Sequence, residues 1–161
     1  MEMTSDKPRV KIGFMLVELL AVLTIIGSAA GISVMAFSDS IARERRMVRN
    51  EAQDFSLWIK HRMAMAARES VEFRVMLTQG KDRNYEMTLI WFGGMKSLQH
   101  EVFTFGDAAL AYEGVGELIF SGRWFTMTPA ATFIVKSKKS PEVRFFVTIS
   151  GVGYVDIKER L

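Results

Sequence analysis

The pattern of apolar and polar positions changes twice along the chain. From Leu19 to Phe37 the sequence reads LLAVLTIIGSAAGISVMAF, with no charge and only Thr24, Ser28 and Ser33 as polar side chains. About 20 apolar residues at 1.5 Å rise match a hydrocarbon core of roughly 30 Å, so the stretch predicts a retained membrane helix. A cleaved secretory signal fits less well, because its apolar region is about 7–15 residues long and ends at a small-residue cut site. A buried core helix is the other alternative. Past Phe37 the pattern becomes one-sided. Val48, Ala52, Phe55, Ile59, Met63 and Ala66 recur at spacings of three and four, the signature of a helix with one apolar stripe. No proline interrupts Pro8 to Pro129, and between Phe14 and Glu69 the only glycines are Gly27 and Gly31. A single helix of about 55 residues, about 80 Å long, is therefore expected.

After Glu69 the period drops to two. In VEFRVML, Val71, Phe73, Val75 and Leu77 share one face and Glu72 and Arg74 the other. NYEMTLIWF, HEVFTF, GELIFS, ATFIVKS and EVRFFVTIS read as further strands, and GYVDI as a short last one. Turn signals separate them at Gly80-Lys81-Asp82, Gly93-Gly94, Gly106-Asp107, Gly114, Gly122, Pro129, Ser140-Pro141 and Gly151. Strands this closely spaced predict an antiparallel β head over 70–161, one face of it covered by the helix stripe. The fold class is thus α+β, with an apolar helix, its amphipathic continuation over 38–69 and the head. No internal repeat or low-complexity tract is present.

Composition narrows the chemistry. With 24% charged residues and a net charge of +3, the chain reads as folded, and no long basic stripe demands a nucleic-acid partner. The absence of cysteine excludes disulfides, thiolate metal sites and a cysteine nucleophile. His61 and His100 are too few for a histidine-rich metal site. No carboxylate dyad, nucleophile arrangement or phosphate-cradling glycine loop stands out, so neither an enzyme nor a bound cofactor is expected. Trp58, Trp91 and Trp124 read as core or rim aromatics. Arg43, Arg45, Arg46 and Arg49 could hold phosphates, of lipid or DNA; the favoured reading is a solvated helix face with Glu44 and Glu51 as partners.

One residue conflicts with this reading. Glu18 opens the apolar segment, where a carboxylate is costly unless it has a partner or a function. Charge does not orient the segment, since Lys7, Arg9 and Lys11 on one flank balance four arginines on the other.

The stretch GFMLVELLAVLTIIG resembles the class III signal of type IV prepilins and type II secretion pseudopilins: a glycine, an aromatic residue, a short apolar step, a glutamate and an unbroken apolar helix. The resemblance implies cleavage between Gly13 and Phe14 by a prepilin peptidase, N-methylation of Phe14, and a filament subunit with Glu18 as fifth mature residue. It divides the chain into a leader over 1–13, a transmembrane and filament-core helix over 14–37, the amphipathic continuation and the head. It also implies a single-pass protein of the bacterial inner membrane, with leader cytoplasmic and head periplasmic. WIKHRMAMAARESVEFRVML, with Ala67, Arg68 and Val71, is similar to the helix end and first strand of H-type minor pseudopilins and related minor pilins (the GspH/FimT group). ELIFSGRWFTMTPAATFIV and VRFFVTISGVGYVDI, with Gly151 or Gly153, are similar to later hairpins of that group. The implied role is a minor pseudopilin of a type II secretion system, or alternatively a minor type IV pilin. The proline usual in the apolar helix of major pilins is absent. Implied partners are the peptidase, other pilin or pseudopilin subunits, the membrane, and a secretin or secreted cargo. Some minor pilins of this group take up DNA through basic residues near the C-terminus, but the tail DIKERL lacks the paired arginines, so DNA is not the expected partner.

Each part of the signal also has a physical reason. A glycine at 13 lets the backbone enter a protease cleft, although it would equally suit a helix start or turn. Cleavage leaves a charged α-amine on Phe14, one helical turn from Glu18. Gly27 and Gly31, four apart, would let apolar helices approach closely, or are incidental.

Overall fold

A computed structural model describes the backbone at residues 12–80, 84–94 and 98–159, and side chains within those ranges except at 12–15 and 29–39. Helix α1 runs unbroken over Ile12–Glu69. The described chain divides into two compact units at Ser40/Ile41.

In the second unit, the stripe read from the spacing is the stripe that is buried: Val48, Ala52, Phe55, Ile59, Met63 and Ala66 all lie at or within 1% of complete burial. The helix ends where its cap requires. Ser70 takes a left-handed φ of 54°, its amide donates to Ala67 O at 3.2 Å, and the amide of Val71 donates to Ala66 O at 3.0 Å. This pair of bonds is a Schellman cap, with serine where glycine is usual. Arg68 in the last turn complements the helix dipole. The cap docks directly onto the head, because Val71 O accepts from the amide of Gly122 at 2.8 Å. A Cβ at Gly122 would overlap the carbonyls of Ala66 and Val71, so only glycine fits there.

The head is antiparallel, as expected, and is divided between two sheets. Strands β1 (Glu72–Gln79), β2 (Tyr85–Phe92), β3 (His100–Phe103), β5 (Glu117–Ser121) and β6 (Thr126–Thr128) form one sheet in the order β3-β2-β1-β5-β6. Strands β4 (Ala108–Tyr112), β7 (Ala131–Ser137), β8 (Arg144–Ile149) and β9 (Val155–Glu159) form the other in the order β4-β7-β8-β9. In β1 the inward set is Phe73, Val75 and Leu77, with Val71 partly buried just before the strand. Phe73 sits opposite Trp91 of β2 and Phe120 of β5, so three aromatic residues cross the centre of the first sheet. Strands β4 and β6 have no counterpart among the strands that the sequence pattern predicts. Ala108, Ala109 and Leu110 are buried consecutively and show no alternation, and β6 has only three residues before the cis Thr128–Pro129 bond.

Phe55 joins the helix to both sheets. Its ring lies 5.3 Å from Phe103, 5.6 Å from Phe105 and 5.4 Å from Phe133. Phe103 belongs to the first sheet and Phe133 to the second. Tilted and edge-on rings at these distances add about 0.5–1.5 kcal/mol per pair beyond area burial.

Polar side chains of the helix also fasten the head. Glu101 on β3 accepts from Arg62 Nε and from Trp91 Nε1, each at 2.9 Å, and the Arg62 guanidinium stacks on Trp58 at 4.5 Å. Glu51 accepts from the amides of Gly106, Asp107 and Ala108 at 2.9–3.3 Å, holding the turn before β4 against the helix. Glu44 accepts from Ser137 Oγ at 2.9 Å and Ser140 Oγ at 2.5 Å, bracing the turn between β7 and β8. The Ser140 and Ser137 hydroxyls, with Lys139 nearby, hold the Glu44 carboxyl below its ordinary value of 4.5 against a smaller opposing desolvation. A carboxyl whose pKa is depressed by folding adds stability that is fully present above 4.5 and fades as pH falls through the lower folded value. The stability gap between the native chain and Glu44→Gln, read by urea unfolding, is therefore expected to be constant near neutral pH and to shrink below 4.5. A gap that widens in acid would contradict it.

Candidate functional site

The first unit has an unusual surface for an isolated helix. Leu16, Val17, Leu19, Leu20, Val22, Leu23, Ile25 and Ile26 are all large, apolar and about half or more exposed. They occupy every side of the helix, so no single neighbouring face could cover them all. A surface of this kind needs a lipid environment or several surrounding helices.

Polar groups in this stretch are accounted for, with one exception. Thr24 Oγ1 donates to Ala21 O at 2.8 Å and Ser28 Oγ donates to Ile25 O at 2.9 Å, so both hydroxyls are satisfied within their own helix. Glu18 is exposed and has no hydrogen-bond or ion-pair partner among the described residues. Glu18 is thus the polar side chain of the 16–28 stretch left without a partner among the described residues.

The remaining signal residues are placed as follows. Gly13 and Phe14 lie in the first turn of α1, where backbone amides lack intrahelical partners and the helix opens most easily. Their bond is helical here, not extended, so recognition by a protease would require that turn to unwind. A Cβ at Gly27 would meet nothing within 4 Å, so packing inside the chain does not demand glycine there. The contacts of Gly31, the leader residues Lys7, Arg9 and Lys11, and the turn residues Lys81 and Asp82 lie outside the described residues. So do the side chains of the second half of the expected membrane span, and among the described residues no helix is long and apolar enough to cross a membrane.

On the head, the structure gathers residues that no local spacing links. The turn from β5 to β6 carries Trp124 and Phe125, and the turn from β8 to β9 carries Val152 and Tyr154. All four are exposed, Trp124 and Val152 at above 70%. The two turns touch: Met127 N donates to Gly151 O at 3.0 Å, and a Cβ at Gly153 would lie 2.7 Å from the Phe125 ring. Trp91 is a core residue and Trp58 is half-buried, whereas Trp124 projects into solvent. The outer face of the second sheet forms an open concavity of about 880 Å3, floored by Ile134, Phe146 and Thr148 and walled by Tyr112 and Tyr154. His61 and His100 are exposed and lie apart from these features.

Two crystal structures of the type IV minor pilin FimU from Pseudomonas aeruginosa (strain PAO1) are similar to this chain. One aligns with a TM-score of 0.54 and 15% identity over 72% of this chain and 91% of FimU. The other, in a second crystal form, aligns with a TM-score of 0.50 and 15% identity over 69% and 92%. The chain has a type IV pilin-like fold. At 15% identity the likeness concerns the fold and nothing finer. No family profile matches the sequence, and no curated protein matches it.

Proposed function

We propose that this chain is a pilin-type filament subunit, specifically a minor pseudopilin of a type II secretion system. The observation that carries the reading is Glu18, an unpartnered carboxylate on a helix exposed and apolar on every side, in a chain with a pilin-like fold. The subunit is held in the inner membrane by its apolar helix, leader inside and head in the periplasm. A prepilin peptidase cuts between Gly13 and Phe14 and Phe14 is N-methylated. The helix then exchanges lipid for the helices of neighbouring subunits, which cover the same apolar side chains. Other subunits, and a secretin or cargo at the head, are the partners; the work is assembly rather than catalysis, and DNA is not a proposed ligand.

Mass spectrometry of the purified mature chain tests this reading. The expected N-terminus is N-methylated Phe14. An intact leader, or a cut far downstream, would overturn the proposal.

A minor type IV pilin is the second reading, and the fold shared with FimU supports both equally. Deletion of the gene separates the two: loss of exoprotein release with pili intact supports a secretion role, and loss of surface pili with secretion intact supports a pilus role.

A further inference from the structure

The arginines that follow the apolar segment have a different environment from the one their spacing suggests. Glu44 and Glu51 are their nearest acids in sequence, yet both turn away into the head. Glu44 binds the hydroxyls of Ser137 and Ser140, and Glu51 binds the amides of Gly106 to Ala108. Arg45 pairs with Glu159. This leaves Arg43, Arg46 and Arg49 exposed, with no carboxylate or ring partner among the described residues. At 3.6 residues per turn the three lie within an arc of roughly 120° that faces away from the Val48–Ala52–Phe55 stripe. The next exposed acid along the helix is Asp54, more than a turn beyond Arg49; Asp39, one turn before Arg43, has its side chain outside the described residues.

Three like charges on one helix face repel one another and favour an anion that all three can share. Guanidinium groups are suited to phosphate, which they bind bidentately. The position of the cluster indicates the source of that phosphate. Arg43 follows by six residues the end of the uncharged run at Phe37, where a chain leaving a bilayer passes the headgroups. We propose that Arg43, Arg46 and Arg49 form a phosphate-binding face that holds the headgroups of anionic phospholipids while the subunit is stored in the membrane. The inference rests on the membrane-anchored reading of the apolar helix.

The test uses the full chain, native and Arg43→Gln/Arg46→Gln/Arg49→Gln; glutamine is a good helix former at these exposed positions. Each chain is purified in neutral detergent containing phosphatidylglycerol or phosphatidylcholine, and retained lipid is counted by native mass spectrometry. Near a membrane surface each such charge is worth about fivefold in affinity. The native chain is expected to prefer phosphatidylglycerol by at least about tenfold, and the variant to lose that preference while unfolding at the same urea concentration. Equal retention by the two chains overturns the proposal. Complete displacement of the lipid by inorganic phosphate at equal concentration also overturns it, in favour of a free-anion site. A DNA duplex bound by the native chain alone, without lipid preference, overturns it in favour of nucleic acid. Insertion into vesicles, scored by resistance to alkaline extraction, separates the two levels. If neither chain inserts, the membrane reading falls and the proposal with it; if both insert and no preference appears, only the proposal falls.

Discussion

Phe55→Ala is expected to cost the head about 3–5 kcal/mol, the range for removing a buried phenylalanine from a packed core. Phe55 is completely buried, and its ring touches Phe103 of one sheet and Phe133 of the other. Truncation removes a helix side chain that touches both sheets and leaves a cavity whose walls belong to three elements. Those walls cannot easily collapse, because β3 is tied to the helix by Arg62–Glu101 and the turn before β4 by Glu51. With total stabilities of about 5–15 kcal/mol, the loss would be a large part of what holds the head folded. Urea unfolding of the full chain, followed by aromatic fluorescence, reads the change. Leu57→Ala is the control: Leu57 is two residues away and 63% exposed, so its truncation should move stability by no more than about 0.5 kcal/mol. A Phe55→Ala loss near that of the control would show that the two sheets do not depend on this ring.

Phe55 also shows what the sequence makes legible. The stripe from Val48 to Ala66 is a local property: residues three and four apart share a helix face whatever they pack against, so spacing alone identifies it. The alternation of Phe73, Val75 and Leu77 is local in the same sense. The partition of the head into two sheets is not. It depends on β4 leaving the first sheet to pair with β7, and the AALAY segment carries no alternation to announce a strand. The partners of the helix acids are not local either, for a related reason. Spacing along a helix assigns Glu44 and Glu51 to arginines a turn away, but each reaches a turn of the head more than fifty residues distant. Those turns offer serine hydroxyls or a run of free amides, which hold a carboxylate more firmly than an exposed guanidinium does. Of the candidate site, Glu18 was legible because a lone acid in an apolar run is conspicuous without any tertiary contact. The approach of Phe125 to Gly153 is not, because it exists only once the two hairpin turns meet.

Glu18→Ala is expected to leave cleavage at Gly13–Phe14 at its native level and to reduce incorporation into filaments by at least about a hundredfold. Cleavage precedes any role for the carboxylate, since the positive charge that it would meet does not exist until Phe14 has a free α-amine. Incorporation follows it. Where apolar helices replace lipid around the N-terminus, leaving that amine unpaired costs roughly 3–5 kcal/mol, the penalty for breaking a buried ion pair. The hydroxyls of Thr24 and Ser28 cannot replace the carboxylate, because they carry no charge and sit well over two helical turns beyond Phe14. Immunoblotting of sheared filaments against whole membranes reads both steps, and normal incorporation of the variant would refute the pairing. The same blot identifies the amine. If Glu18 meets the Phe14 amine of its own chain, the pair already exists in the stored subunit, and the variant should lose processed subunit from the membrane as well as from filaments. If Glu18 meets the amine of a neighbour, the membrane pool should stay full or rise while filaments disappear.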